Sequence, residues 1–366
     1  MAKRIKYPCE YIQGKGEIRN IGKHLSKLGK KILIIISEGN YKRLAQDIRM
    51  SFDENPAEYI FEYFSGECTF EEINRIAEIG KINNCDVIAA IGGGKVIDTG
   101  KAVAKCLDGI TVIVPTIASN DAPCSGLSVV YNNEGVVVKV IFSKRNPDLV
   151  LVDSEVIAKA PVRMFAAGMG DALATYFEAR ACKSSNAKTM ARGNSTNTAI
   201  MMGKLCYDIL MENGIEAKRS VEKNEVSEAL ENVLEANILL SGIGFESGGL
   251  AAAHAINDGF AYVEQCHGML HGEKVAFGTI AQLILEKASQ EELYKVIDFC
   301  IEAGLPVTLS DMGIMNVVDT DIERVAEAAC VKTQSTKNMP FPVSVKDVYN
   351  AILKADEIGK ARKRTL

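Results

Sequence analysis

The chain has 366 residues, of which 47% are hydrophobic and 24% charged, a globular balance that excludes disordered and collagen-like classes. Its formal net charge of −5 lacks the basic excess of a dedicated nucleic-acid binder, so no nucleic-acid partner is expected. No apolar run approaches the roughly 18 residues of a membrane span, and the start, MAKRIKYPCEYIQGKG, lacks the apolar core of a signal peptide; a cytoplasmic protein without a membrane partner is expected.

The length suggests two domains. Lys31–Ile36 (KILIII) reads as a buried strand, being short and rich in Ile. A helix-compatible stretch follows, from about Tyr41 to Phe52. Glu58–Phe64 has strand character. Phe70–Ile82 spaces its apolar residues as an amphipathic helix does. Asp86–Ile91 is a second buried strand, running into Gly92-Gly93-Gly94, and Lys95–Cys106 reads as a helix. Thr111–Val114 is a further strand, stopped by Pro115. These apolar runs are continuous rather than alternating, as in strands covered on both faces, so a parallel sheet is expected. LSVVY and VVVKVIF flank Asn132-Asn133-Glu134-Gly135 and read as a hairpin. Leu149–Val152 is the last strand. After about Pro161 the pattern turns helical. The expected architecture is an α/β domain over residues 1–160 and an all-α domain over 161–366.

Ten cysteines are spread thinly, with no C-x-x-C pair. They read as buried thiols in a reducing cytosol, not as a disulfide framework or a cysteine-built metal site.

Three features carry chemistry. The first is AAIGGGKVIDTGK, where three glycines follow a strand and open a helix. Glycines let a backbone approach a pyrophosphate, and the helix start supplies N–H groups; a tight turn without ligand is the other reading. Dinucleotide sites also use an acidic residue at the end of another strand to hold the adenine ribose. Here the first strand ends in Ser37-Glu38, and Glu38 is the candidate.

The second is the stiff polar loop Pro115–Tyr131. In open α/β sheets, ligands sit beyond the C-terminal strand ends. Thr116, Ser119 and Ser125 are therefore candidates to contact phosphate or nicotinamide. Asp121 either holds a substrate hydroxyl and passes a proton, or caps its own backbone in an Asx turn.

The third is a group of three histidines, His254, His267 and His271, with His24 read as a surface residue. His254 lies in an apolar helical run, as a core histidine or as a ligand. His271 opens a further helix. Asp171 sits at the apparent start of another, as an N-cap or as the carboxylate of a site with both histidines.

Longer stretches add a resemblance: YIQGKG, AAIGGGKVIDTGKA, PTIASNDAPCSGLSVVY, AAGMGDALATYFEARAC, LSGIGFESGGLAAAHA and HGEKVAFGT. Together, nearly end to end, the sequence resembles the bacterial glycerol dehydrogenases, in the metal-dependent polyol branch of the iron-containing alcohol dehydrogenase superfamily. The resemblance implies a Rossmann-like dinucleotide-binding domain and a helical C-terminal domain, the architecture shared with dehydroquinate synthase, with the active site in the cleft between them. It implies Zn2+ on Asp171, His254 and His271, and NAD on Ser37, Gly93, Gly94, Lys95, Asp98, Thr116, Ser119, Ser125, Leu127 and Tyr131. Asp121 and Phe245 would meet the substrate, glycerol or its product dihydroxyacetone. Asp121, Asp171, His254 and His271 would form the catalytic set. A homo-octamer is implied as well.

Iron-using relatives carry a histidine four residues after the aspartate. Thr175 stands there in this chain, which points to zinc with three protein ligands. Three positions depart from the family's pattern. Ser37 replaces a common aspartate, so NADP joins NAD as a cofactor in view. Asn257, one helical turn from His254, stands where histidine is frequent, and this leaves other vicinal diols, such as 1,2-propanediol, as alternative substrates. Phe341 replaces a frequent glycine. A non-catalytic metabolite sensor would be expected to lose a metal ligand, and a lyase on the dehydroquinate synthase plan would need extra basic residues near the metal; neither pattern is found.

Overall fold

In the computed structural model, which describes residues 2–365, the chain divides into two compact units. One comprises Lys6–Ala160 together with Ser220–Leu239; the other comprises the segment ending at Ile5, Pro161–Arg219 and the chain from Leu240 on. The chain therefore crosses between units at more points than a single cut at 160.

The first unit begins with β1 (Tyr11–Gly14), α1 (Ile21–Leu25), β2 (Lys31–Ile36), α2 (Glu38–Glu54), β3 (Glu58–Tyr63), α3 (Phe70–Ile82), β4 (Val87–Gly92) and α4 (Gly94–Leu107). It continues with β5 (Ile110–Pro115), the hairpin strands β6 (Leu127–Tyr131) and β7 (Val137–Phe142), β8 (Leu149–Asp153) and α5 (Ser154–Ala158). Six strands form one sheet in the order β1-β8-β5-β4-β2-β3, and every neighbouring pair is parallel. β6 and β7 pair antiparallel as a separate ribbon, from Leu127 opposite Phe142. The α/β class expected from the sequence is what forms.

The physical basis is direct. Ile32, Ile34 and Ile36 share one sheet face and are fully buried among Val87, Ala89, Ile91, Val112 and Val114, under Leu44, Ile48 and Phe52 of α2. Leu33 and Ile35, pointing the other way, are fully buried too. Each such side chain contributes about 1.5–3 kcal/mol on burial. β1 has no apolar run and was not expected as a strand; YIQG is only half-buried and is recruited by pairing with β8. At the far end of β8, the buried Asp153 carboxylate accepts from the Gly16 and Ile18 N–H groups (3.1 and 2.8 Å) and caps α5.

Next come α6 (Val162–Ser185) and α7 (Asn197–Glu222), then α8 (Glu228–Leu234), which belongs to the first unit. There the Glu231 carboxylate accepts from Gln13 Nε2 (2.6 Å) and Ser154 Oγ (2.5 Å). A π-helical stretch, Glu235–Leu240, leads to α9 (Ser241–Gly248), α10 (Ala252–Phe260), α11 (His271–Leu285), α12 (Gln290–Ala303), α13 (Asp319–Ala329) and α14 (Val345–Lys363). Among the described residues, no helix is long and apolar enough to cross a membrane.

Six cysteines are buried, as expected. Cys9 and Cys106 are exposed, and Cys85 and Cys330 lie between. Cys106 falls on the outer side of α4, one residue after the exposed Lys105. His24 is not a bare surface residue: it is half-buried against Glu17, with Nε2 3.1 Å from the carboxylate.

Candidate active site

Two clusters of candidate residues form, one in each unit. The helical unit holds the first. Asp171 lies in the middle of α6, not at its start, so the N-cap reading is excluded. His254 is in the first turn of α10, and His271 opens α11. The backbones of α6 and α11 touch. A Cβ on Gly272 would stand 1.8 Å from the Ala167 carbonyl oxygen, and one on Gly170 would stand 2.4 Å from the Gly272 oxygen. Gly170 beside Asp171 and Gly272 beside His271 are glycines because the two helices meet there.

Three ligand atoms converge as a result. His271 Nε2 lies 3.2 Å from Asp171 Oδ1, and His254 Nε2 lies 3.4 Å from the same oxygen. One ligand atom from each residue falls within 4.8 Å of the others. Asp171 is fully buried, while 44% of the His271 side chain is exposed, so the cluster is closed on one side and open on the other.

A fourth residue organises it. Glu178, fully buried and two helical turns beyond Asp171, faces His254. Its Oε2 is 2.5 Å from His254 Nδ1, and its Oε1 accepts from the Ala251 and His254 backbone N–H groups (2.8 and 3.0 Å). Nδ1–H donated to a carboxylate leaves Nε2 as the electron-pair donor, the usual support of a metal-bound histidine. Sequence reading missed Glu178; its spacing of seven from Asp171 on one helix is the signal that was available.

The charges agree with this. Burial pushes the Asp171 carboxyl up, but the His271 and His254 imidazoles outweigh it and hold it well below the ordinary range. Burial pushes the His254 imidazole down, and the Glu178 and Asp171 carboxylates outweigh that and hold it well above its usual value. Two carboxylates and two imidazoles at one point call for a cation, a proton or a metal. The nitrogen–nitrogen–oxygen donor set, the carboxylate-backed histidine and the open side fit a divalent transition metal.

The remaining residues of this unit fall into place around it. Glu273 accepts from Leu270 N (2.7 Å), is clasped by Arg163 (2.6 and 2.8 Å) and thereby fixes the start of α11. Thr175 is fully buried, with Oγ1 2.8 Å from Ser241 Oγ, and a Cβ on Gly244 would press on its methyl group at 2.3 Å. Thr175 offers a hydroxyl already engaged by Ser241, not a nitrogen ligand. Phe245 is buried in α9, and Asn257 is buried with Nδ2 donating to Asp258 Oδ1 (3.0 Å). His267 is exposed and contacts the Ala261 carbonyl; it is not in the converging group. Phe341 lies at the surface, and nothing in the structure explains it.

The second cluster lines the C-terminal ends of the adjacent strands β2, β4 and β5. Gly93 precedes α4, and Gly94 begins it. A Cβ on Gly93 would come within 2.8 Å of Ile117, and one on Gly94 within 2.7 Å of Asn120, so a side chain would fill this cradle. A backbone bare of side chains at a helix start fits a pyrophosphate. Lys95 Nζ pairs with Glu67 (2.6 Å). Asp98 Oδ2 accepts from Val129 N (3.0 Å), and its Oδ1 pairs with the buried Lys101 (3.0 Å), tying α4 to β6.

Ser37 caps α2, accepting from Asn40 N (3.4 Å), while Glu38 pairs outward with Lys42 (2.7 Å). Thr116 is buried and accepts from Asn40 Nδ2 (3.2 Å), a link that sequence reading did not contain. Ser119 is half-buried; Ser125 is buried and donates to the Ala122 carbonyl (3.1 Å). Asp121 is buried but makes no cap; the Asx turn belongs to Asn120, whose Oδ1 accepts from Ala122 N (3.2 Å). Leu127 and Tyr131 mark the two ends of β6.

Comparison with known proteins extends these observations. A family model for iron-containing alcohol dehydrogenase matches residues 8–154. The chain is 47% identical over 358 residues to the glycerol dehydrogenase of Thermotoga maritima, covering 98% of both proteins. It is 44% identical over 360 residues to that of Citrobacter freundii, covering 98% of this chain and 99% of the relative. The crystal structure of a probable glycerol dehydrogenase from Sinorhizobium meliloti superposes with a TM-score of 0.92 at 40% identity, covering 98% of this chain and all of that one.

Proposed function

The chain belongs to the iron-containing alcohol dehydrogenase family, and we propose that within it this protein is a glycerol dehydrogenase, oxidising glycerol at carbon 2 to dihydroxyacetone with NAD. The observation that carries the reading is the convergence of Asp171, His254 and His271 on one point, in a chain alike over nearly its full length to glycerol dehydrogenases.

Zinc is the metal we assign. Three protein ligands with an open side suit a catalytic zinc site, and Thr175, its hydroxyl engaged by Ser241, supplies no fourth nitrogen. When bound, the metal supplies Lewis acidity that favours ionisation of a substrate hydroxyl, and the nicotinamide ring accepts the hydride from carbon 2. The chain's own residues do the rest. Glu178 keeps His254 Nε2 turned toward Asp171, and the buried Asp171 carboxylate supplies negative charge at the same point. Glu273 and Arg163 hold His271 at the first position of α11. The glycine cradle at Gly93–Gly94, the buried Thr116 and Ser125, and Ser37, Lys95, Asp98, Ser119, Leu127 and Tyr131 are assigned to the dinucleotide. Asp121 is assigned to the substrate hydroxyls and to carrying the released proton away, with Phe245 as an apolar wall. The α/β unit is thus the dinucleotide-binding part and the helical unit the metal-binding part. Family resemblance supports a cytoplasmic homo-octamer.

The test is the initial rate of nicotinamide reduction with glycerol, in the wild type and in His271→Ala, with zinc measured per chain. Loss of zinc and activity together in the variant supports the reading. Bound zinc with no turnover of glycerol, but turnover of 1,2-propanediol, would move the substrate to another vicinal diol.

A further inference from the structure

We propose that this protein accepts the 2′-phosphorylated dinucleotide, NADP, as well as NAD, and that Ser37 is the residue that permits it. The inference rests on the assignment of a dinucleotide to the glycine cradle and goes further, to how the adenosine end is selected.

Strand register places the position. β2 lies beside β4, with Ile36 opposite Ile91, so Ser37 comes level with Gly92 at the mouth of the cradle. Neighbouring strands are about 4.8 Å apart. In dinucleotide sites the strand end beside the glycine loop meets the adenine ribose. A carboxylate there binds the 2′- and 3′-hydroxyls and repels a 2′-phosphate, whereas a nearby Arg accommodates that phosphate.

No carboxylate stands at this strand end. Ser37 is neutral, and its hydroxyl is engaged with Asn40 N. The adjacent Glu38 is 71% exposed and turned to Lys42, which offsets its charge. Arg43, on the same first turns of α2, rests on Asn40 Oδ1 (2.5 Å), and Asn40 in turn reaches Thr116. From Ser37 to Arg43 the chain carries two cations against one anion. The one carboxylate of this stretch is thus already paired, so its repulsion of a 2′-phosphate is weak. Discrimination between two such ligands is a difference of affinities, and the repulsive element that enforces it is missing.

The test is equilibrium binding of NADH and NADPH by the whole protein, followed by the nicotinamide fluorescence that a chain without tryptophan leaves undisturbed. In the wild type NADPH should bind within about tenfold of NADH, a difference no larger than one modest contact supplies. Ser37→Asp should weaken NADPH by roughly tenfold or more, through like-charge repulsion, and change NADH by less than about threefold. Lys42→Ala and Arg43→Ala should weaken NADPH selectively. NADH binding retained in each variant shows that the site is folded. A wild type that rejects NADPH by more than about a hundredfold, or a Ser37→Asp variant that shifts both ligands equally, overturns the proposal. If neither dinucleotide binds, the assignment of the glycine cradle fails, and this inference fails with it.

Discussion

Glu178 Oε2 stands 2.5 Å from His254 Nδ1, on the side of the ring opposite the nitrogen that faces Asp171. The same carboxylate holds the first backbone N–H groups of α10, so it fixes the ring and the helix carrying it together. Glu178→Gln keeps the shape and removes the charge. Outer partners of metal-bound histidines are worth about 10–100-fold in metal affinity. If the site holds the zinc proposed above, retention of the metal against a chelator should fall by that factor, with the thermal midpoint of the chelated protein changed far less.

Gly272→Ala probes the contact between α6 and α11. The added Cβ meets a backbone oxygen at 1.8 Å, which no rotamer relieves. Forcing an extra carbon into a packed interior costs about 1–3 kcal/mol. The thermal midpoint should drop, and zinc content should fall because His271 moves with its helix. A variant with a full zinc complement and wild-type midpoint would show that the helices part without cost.

Lys101→Met tests the buried pair under the polar loop. Lys101 donates to the Ala122 carbonyl (3.0 Å) and neutralises Asp98. Removing one partner of a buried pair costs about 3–5 kcal/mol, because the other charge stays behind. The denaturation midpoint should fall and NADH binding weaken. Adding Asp98→Asn should restore part of the stability, since the orphaned charge goes too.

Asp311, which belongs to neither cluster, sets a pH dependence of its own. Burial pushes its carboxyl up, but Lys363 and the Val307 and Thr308 N–H groups outweigh this and hold it below the ordinary range. A depressed folded value means stabilisation that is fully present above the unfolded value, about 4, and lost as pH falls through the folded one. Asp311→Asn should therefore lower the thermal midpoint at pH 7. The gap to the wild type should narrow below about pH 4. A gap independent of pH would contradict the assignment.

The strands were legible because the sheet is covered on both faces: after Lys31, KILIII is an unbroken apolar run whose shortness and Ile content favour a buried strand over a helix. Phe70–Ile82 was legible to the residue, since Thr69 caps it and its apolar stripe is clean. β1 was not, because pairing with β8, rather than its own residues, makes it a strand. The three candidate metal ligands were suggested by their chemical type, but their meeting depends on helices far apart in sequence. Asp171 was misplaced at a helix start because α6 is buried on nearly all sides and shows no periodicity to mark where it begins. Glu178 was missed on the same helix, although its spacing of seven from Asp171 was a signal that could have found it. Nothing in the polar segment Ser220–Leu239 announces that it folds with residues some seventy positions earlier.

That return has a practical consequence for anyone dividing the gene. A fragment ending at Ala160 contains every strand of the sheet but lacks α8. It would leave Gln13 and Ser154 without the Glu231 carboxylate and lay bare the apolar face that Leu230, Val233 and Leu234 cover. Expressed alone, such a piece should aggregate, whereas a version with Ser220–Leu239 joined by a flexible tether to Ala160 has what it needs to stay in solution. The two units of this enzyme are therefore not separable cassettes: the α/β unit is complete only after the chain has been translated through Leu239.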